Sequence, residues 1–527
     1  MQTCADPGAR VTKGPLYAAD LGADWTAQTP LVLPSGAVES GAGLVVADLT
    51  GDGRLDVFLP NYSPCQLFVG QPNGLLIDES KARLPTWDED CEAWGASAVD
   101  ADNDGDMDLF VARNGFSDRL WLNDGNGVFA ADPAGVGLSP HRCGSRGGSW
   151  GDFDADGDLD LFVPRHHVVV GASAEGCPDR DPLPDRDIPP GDRNSLYENL
   201  GDGTFRDITE RLPQGGVDGY AFLGGWLDAD GDGHLDLYVI NDYGGRAEPN
   251  QLLLGDGLGG FTPADDALGL HLAIDGMGLG IGDVNRDGAP DLAVSDTDHL
   301  HLMLSDGAGG WYDAARALGL IQDIELPQRA SWAIDLADMD NDGDLDVMTV
   351  FGPTEGPLAS GASAVLSQPD AVFLQGEDGT FTDRAAAWGL DQTSVGRGQV
   401  LVDYNGDGWL DVFKTDYRLG RARAWMSRCG DAAWLRIRLH GAPPLTHAWG
   451  ARVDVLAGGQ THTRWLTPTS TGLASAGPEE LHFGLGDLDV VEGMVVTWPD
   501  GSTSTFEPFE ARQVLDVDQS ASQVGAD

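Results

Sequence analysis

The chain reads as an all-β protein, a seven-bladed β-propeller followed by a small C-terminal β module. Three observations predict this. A nine-residue pattern, Asp-x-Asp-x-Asp-Gly-x-x-Asp in its fullest form, occurs seven times at steps of 52, 52, 76, 55, 55 and 65 residues. Each copy runs directly into a short apolar, β-branched or aromatic segment. Beyond residue 430 the pattern stops, and alternating apolar and polar residues continue without a helical period. A repeat of about fifty residues is one supersecondary unit, stacked so that neighbours bury what each leaves exposed.

The seven copies are Asp48 to Asp56, Asp100 to Asp108, Asp152 to Asp160, Asp228 to Asp236, Asp283 to Asp291, Asp338 to Asp346 and Asp403 to Asp411, here loops 1 to 7. The Gly at position six permits a tight turn that folds the loop onto itself and lets its side-chain oxygens converge. Oxygen ligands of this kind suit Ca²⁺, which takes six to eight of them, and suit Zn²⁺ poorly.

About seven Ca²⁺ ions are therefore expected. Side chains at positions one, three, five and nine would hold them, with the main-chain carbonyl of position seven. In loops 1 and 2 these are Asp48, Thr50, Asp52, Arg54, Asp56 and Asp100, Asp102, Asp104, Asp106, Asp108. Loops 3 and 4 supply Asp152, Asp154, Asp156, Asp158, Asp160 and Asp228, Asp230, Asp232, His234, Asp236. Loops 5 to 7 supply Asp283, Asn285, Asp287, Ala289, Asp291, then Asp338, Asp340, Asp342, Asp344, Asp346, and finally Asp403, Asn405, Asp407, Trp409, Asp411. Thr50 is the weakest of these ligands. An EF-hand needs an acidic residue at position twelve, and here that position is Leu59, Val111, Val163, Val239, Val294, Thr349 or Lys414.

Each repeat then divides into four strands. The segment before each loop is Gly-rich and often carries Trp, as in Trp94-Gly95-Ala96, Ser149-Trp150-Gly151, Gly225-Trp226-Leu227 and Ser331-Trp332-Ala333. Small residues there suit innermost strands that crowd around an axis. The loop leads into a buried second strand. A hairpin follows, for example Leu120-Trp-Leu-Asn-Asp-Gly-Asn-Gly-Val-Phe129 and Leu196-Tyr-Glu-Asn-Leu-Gly-Asp-Gly-Thr-Phe205. The segment Pro15 to Leu21 lies too far ahead of loop 1 to be its lead-in strand, so it is expected beside Arg421 to Trp425 as the outermost strand of the last blade.

The formal charge of -54 is the strongest compositional fact, and 25 of the 85 acidic residues lie at positions one, three, five and nine of the loops. Such a surface repels phosphate, which excludes nucleic acid as a partner. No stretch of about 18 apolar residues is present. The start, MQTCADPGAR, has neither a basic nor an apolar leader segment. Sites of modest Ca²⁺ affinity fill outside cells, so the expectation is a secreted or cell-surface protein whose signal has been removed. Six cysteines without a CxxC pair read as disulfides: Cys4 with Cys429 closing the ring, lipidation of Cys4 being the alternative, and by proximity Cys65 with Cys91 and Cys143 with Cys177, one of the three connectivities open to those four.

The spaced loops and Gly-Asp-Gly-x-Phe hairpins resemble the FG-GAP (VCBS) repeat of the integrin α-subunit propeller over roughly residues 40 to 425. Trp434 to Leu439, Gly450 to Leu456, Leu481 to Gly486 and Val495 to Gly501 resemble, in that order, the ASPIC/UnbV domain over about residues 430 to 518. It departs from the domain's usual Asn-Arg-x-x-Ile-Gly stretch at Leu445 to Gly450. The combination is similar to the cartilage acidic protein-like family. It implies a propeller over 1–429 with an insertion at 165–193, a domain over 430–518 and a tail over 519–527.

The resemblance implies a secreted, calcium-binding adhesion, matrix or scaffold protein with a protein or glycan ligand. A lectin is the alternative, with fifteen tryptophans as stacking faces, although tryptophans at repeat positions are more often core. A polysaccharide lyase is the third reading. It needs a base beside a charge neutraliser, and His141, Arg142, Arg146, His166, His167, His299 and His301 are scattered. No nucleophile elbow, HExxH or phosphate loop occurs, and the expectation is a non-enzyme.

Overall fold

The computed structural model describes residues 16–18, 31–32, 38–39, 42–61, 64–85, 91–113, 116–130, 136–138, 144–166, 192–213, 219–297, 299–320, 329–353, 368–390, 395–417, 421–427, 430–443, 446–467, 473–520 and 525–526. The loops organise the strands. In all seven copies the ninth Asp is the first residue of a strand, and the strand before the loop pairs with it antiparallel. The first sheet runs Val45–Ala47, Asp56–Leu59, Gln66–Gly70, Leu76–Asp78 in spatial order, a meander built by the loop and then the hairpin. The third to sixth sheets repeat it, starting at Ser149–Gly151, Tyr220–Leu227, Leu279–Gly282 and Arg329–Ala337.

Two sheets depart from the meander. The second, Ala93–Val99, Asp108–Arg113 and Arg119–Trp121, has three strands, and its fourth place is reduced to a single bridge between Leu122 and Ala130. Among the described residues, the expected fourth strand is thus present there only as that bridge. The Asp124 to Val128 turn closes on its own side chains, with Asp124 accepting from the Asn126 and Val128 N–H groups. The other departure joins the ends of the chain. Arg421–Ser427, third strand of the sheet that starts at Gly396–Val402 and Asp411–Asp416, pairs antiparallel with Leu16–Ala18, Leu16 opposite Ser427.

Apolar clusters run between successive sheets. Val111 meets Val45 and Leu67 between the first and second, and Phe162, Trp226 and Leu237 join the third to the fourth. Leu44, Val57 and Phe68 pack with Val400, Phe413 and Met426, so the first sheet also closes on the last. This circular burial makes the fold a propeller. The tryptophans of the first strands, Trp94, Trp150, Trp226 and Trp332, are buried among these contacts and are core.

The module beyond residue 430 has two four-stranded sheets. In one, Ala433–His440 lies between Leu481–Gly486 and a parallel Gln513–Asp518, and Gly525–Ala526 is the edge. The other runs Gln460–Trp465, Arg452–Ala457, Gly493–Thr497, Thr503–Phe506. Leu435, Val453, Phe483 and Trp498 fill the space between them.

One module segment enters the propeller. Ala476 pairs in parallel with Val45, donating to the Leu44 carbonyl and accepting from Val46, while Ala474 accepts from the Ala96 N–H. Its fit depends on glycine. A Cβ on Gly43 would overlap the Ala474 carbonyl, one on Gly95 its Cβ, and one on Gly398 the Ser475 hydroxyl. Gly43→Ala should therefore cost about 1–3 kcal/mol, read as a lower thermal midpoint, because neither backbone has room to withdraw. An unchanged midpoint would show that the segment is loosely held.

Cys65 and Cys91 form a disulfide, Cα atoms 5.7 Å apart, tying the first sheet to the second. Cys4, Cys143, Cys177 and Cys429, and most of the insertion at 165–193, lie outside the described residues.

Candidate metal centres

Each loop is built by its own backbone. Position six is Gly with φ between +81° and +99° in all seven. Position four is also left-handed, as Gly51, Gly231 and Gly406 and as the strained Asn103, Ala155, Arg286 and Asn341. The turn aims N–H groups inward. The first carboxylate accepts the N–H of positions five and six in six loops, for example Asp100 from Asp104 and Gly105 at 3.1 Å each. In loop 4 Asp228 accepts instead from Gly231 and Gly233.

The ninth Asp is a staple. In every loop its Oδ2 accepts the N–H of position two and its Oδ1 accepts an N–H from the last residue of the third strand or, in loop 2, from Asn123 two residues beyond it. Asp346 takes 2.8 Å from Met339 and 2.9 Å from Gln375. All seven are essentially solvent-free. Burial pushes them up, Asp108 to about 8, Asp291 to about 7 and Asp56 and Asp236 to about 6, and it raises Asp160, Asp346 and Asp411 as well.

Positions one, three and nine come together. In loops 2, 3, 4 and 6 one oxygen from each lies within 4.8 Å of the others, in Asp100/Asp102/Asp108, Asp152/Asp154/Asp160, Asp228/Asp230/Asp236 and Asp338/Asp340/Asp346. The Oδ1 atoms of Asp102, Asp154 and Asp340 are buried and meet no hydrogen-bond donor. A buried carboxylate oxygen without a donor, beside two more carboxylates, calls for a cation. An all-oxygen donor set fits a hard divalent ion such as Ca²⁺.

Position five lies outside these clusters, its Oδ1 held by the N–H of position seven, as in Asp342 with Asp344 at 2.9 Å. Loops 1, 5 and 7 carry Thr50, Asn285 and Asn405 at position three, and the latter two accept from Asp287 and Asp407. Position-seven side chains turn to neighbours: Arg54 to Asp52 and the Gly70 carbonyl, Asp158 to Asn103, Asp344 to Arg286. His234, Ala289 and Trp409 bring no carboxylate, and Trp409 is buried against Gly430.

Several contributors escaped sequence reasoning. Asn123 and Asn199, the Asn of the hairpin signature, each donate to the preceding loop, at Leu49 and Ala101, and to their own, at Met107 and Leu159. Gln375 reaches Val284 of loop 5 in the same way. The module contributes as well. His447 lies 3.0 Å from Asp100 and 2.6 Å from Glu479, and Arg436 donates to Asp403 at 2.8 Å. Burial alone would lower His447, but these two carboxylates outweigh it and raise it to about 10.

The scattered basic residues divide. His141, Arg142 and His167 lie outside the described residues. Arg146 and His166 meet at 3.3 Å, with Asp242 3.0 Å from the other ring nitrogen, and burial and then Arg146 hold His166 well below its usual range. His299 is exposed. His301 bridges Asp313 at 2.8 Å and Asp296 at 3.4 Å. Burial lowers His301, but the two carboxylates win and raise it to about 9. Its folded value exceeds the unfolded one, so the stability it adds is complete below about pH 6.5 and is lost as pH rises through 9. His301→Gln should flatten that fall, by on the order of 1–3 kcal/mol in chemical unfolding with Ca²⁺ present. An identical pH slope in the variant would contradict it.

FG-GAP-like repeat models match residues 48–111, 100–163, 188–239, 228–294 and 283–349, more than half of the chain, and most of these matches begin on a loop's first Asp. The chain belongs to the FG-GAP repeat family. The ASPIC and UnbV model matches residues 441–524 of this FG-GAP protein. Cartilage acidic protein 1 of Xenopus tropicalis is 24% identical over 556 residues, 94% of this chain and 76% of that protein. The Homo sapiens protein of the same name is 23% identical over 94% of this chain and 75% of its own. Among solved structures, the BP39L lectin from Burkholderia pseudomallei is 11% identical over 75% of this chain and 98% of its own, with a TM-score of 0.43.

Proposed function

We propose that this FG-GAP chain is an extracellular calcium-binding propeller of seven blades, serving as an adhesion, matrix or scaffold protein. The reading divides the chain into a propeller over 1–429, a module over 430–518 and a tail over 519–527 that lends the edge pair Gly525–Ala526 to the module. One Ca²⁺ would sit in each loop, on the side chains of positions one, three, five and nine and the main-chain carbonyl of position seven. The observation that carries it is the donorless buried oxygen of Asp102, Asp154 and Asp340 within clusters of three carboxylates. Bound Ca²⁺ would neutralise those clusters and hold the loops as fixed ends of the strands.

An extracellular setting is supported by the Cys65–Cys91 disulfide and by the similarity to cartilage acidic protein 1. No helix among the described residues is long and apolar enough to cross a membrane. The partner class is an extracellular protein or glycan. Surface plasmon resonance against extracellular matrix proteins and acidic glycans, in Ca²⁺ and in chelator, tests the reading. Saturable, Ca²⁺-dependent binding to matrix protein is expected. Binding confined to defined glycans would favour a lectin, and unsaturated product released from uronate polymers would replace both with a lyase.

A further inference from the structure

Two basic side chains of the C-terminal module end on metal loops in the same way. Arg436, buried on the strand Ala433–His440, donates from one terminal nitrogen to Asp403 Oδ2 at 2.8 Å, and its other nitrogens are held by Glu480. His447 places Nε2 3.0 Å from Asp100 Oδ2, with Nδ1 held 2.6 Å from Glu479. Asp403 and Asp100 are the first-position residues of loops 7 and 2. On both, the Oδ2 that meets the module also accepts the position-six N–H, while Oδ1 takes only the position-five N–H. One lone pair of Oδ1 therefore remains for a cation, and the module fixes the carboxylate from behind.

The two acids that orient these groups are neighbours, Glu479 and Glu480, and only Gly477 and Pro478 separate them from the segment 473–476 that lies inside the propeller. Other module groups reach the same loops: His482 lies 3.1 Å from the Gly408 carbonyl of loop 7 and His462 3.1 Å from the Gly343 carbonyl of loop 6. Loop 4, among the described residues, makes no hydrogen bond with the module, so it is an internal reference. A cavity of about 540 Å³ between loops 1, 2 and 7 and the module is lined by Asp48, Asp106, Asn405 and Arg438, and it gives ions a way to loops 2 and 7.

We infer that Arg436 and His447 are outer-sphere positioning residues for cations in loops 7 and 2, and that cation binding in these loops and docking of the module stabilise each other. The inference rests on the calcium reading above. Partners that orient a metal's ligands are commonly worth 10–100-fold in affinity. Because binding free energies are reciprocal, whatever the module adds to cation affinity, the cation adds to docking.

The test is made on the full chain with Ca²⁺ alone. In isothermal titration, Arg436→Met and His447→Leu together should weaken two sites by 10–100-fold and leave the others unchanged. Arg438→Met is the control, since Arg438 shares the strand and bonds Glu480 without touching a loop. The reciprocal arm leaves the module intact: Asp407→Asn in loop 7 should speed hydrogen exchange of residues 433–440 in Ca²⁺ buffer, and Asp232→Asn in loop 4 should not. Unchanged affinities in the double variant, or exchange at 433–440 that ignores Ca²⁺ in the parent chain, overturns the inference. A parent chain that takes up no Ca²⁺ removes the calcium reading and this inference with it.

Discussion

Removing divalent cations with a chelator should lower the thermal midpoint by about 10–20 °C. A ligand that binds only the folded chain adds RT ln(1 + [L]/Kd) per site, about 2.7 kcal/mol at a hundredfold excess, and several sites act together here. For a domain of some four hundred residues, each kcal/mol moves the midpoint by about 1 °C. The direction follows from the loops. Three carboxylates sit within 4.8 Å in loops 2, 3, 4 and 6, in a chain of formal charge -54, and without a cation they repel one another inside a buried turn. Mg²⁺ should restore less than Ca²⁺, because it demands a near-ideal octahedron and dehydrates reluctantly. Differential scanning calorimetry reads the difference, and superimposable curves in Ca²⁺ and chelator would contradict it.

The second large effect separates two carboxylates of one loop. Asp346 holds the N–H groups of Met339 and Gln375 on its two oxygens and is fully buried. In Asp346→Asn one oxygen becomes an NH₂ group facing a donor. The variant should lose about 2–4 kcal/mol in urea unfolding whether or not Ca²⁺ is present, since buried donors are stranded. Asp340 is different, because its Oδ1 meets no donor and its carboxyl is raised to about 6 by burial and then by Asp342. Asp340→Asn removes that repulsion, so the chelated protein should be unchanged or slightly more stable, while the Ca²⁺-dependent gain shrinks. If both variants lose the same stability in chelator, the assignment of staple and ligand roles fails.

The loops were legible because such a turn is local: nine residues hold the acidic side chains, the Gly at position six and the start of the next strand. The hairpins were legible for the same reason. The pairing of Leu16–Ala18 with Arg421–Ser427 came from the distance of that segment ahead of loop 1 rather than from any residue pattern. What escaped reading depends on distant chain. Asn123 stood in the hairpin signature with no role assigned, and its bond to Leu49 exists only once two sheets are side by side. Strain at Ala155 and Arg286 carries no signal, since neither residue advertises a left-handed backbone. The insertion of 473–476 was hidden because Leu-Ala-Ser-Ala is too small and neutral to declare a partner, and the complementary Gly43 and Gly95 lie roughly 380 to 430 positions earlier, with Gly398 nearer.

The most direct test of the account is a crystal structure of the Ca²⁺-loaded protein with anomalous data collected where calcium scatters. One peak is expected in each of the seven loops, about 2.3–2.6 Å from the position-one and position-three side-chain oxygens, as Ca²⁺–oxygen distances require. Loops without a peak, with Oδ1 of Asp102, Asp154 and Asp340 bonded to water instead, would contradict it.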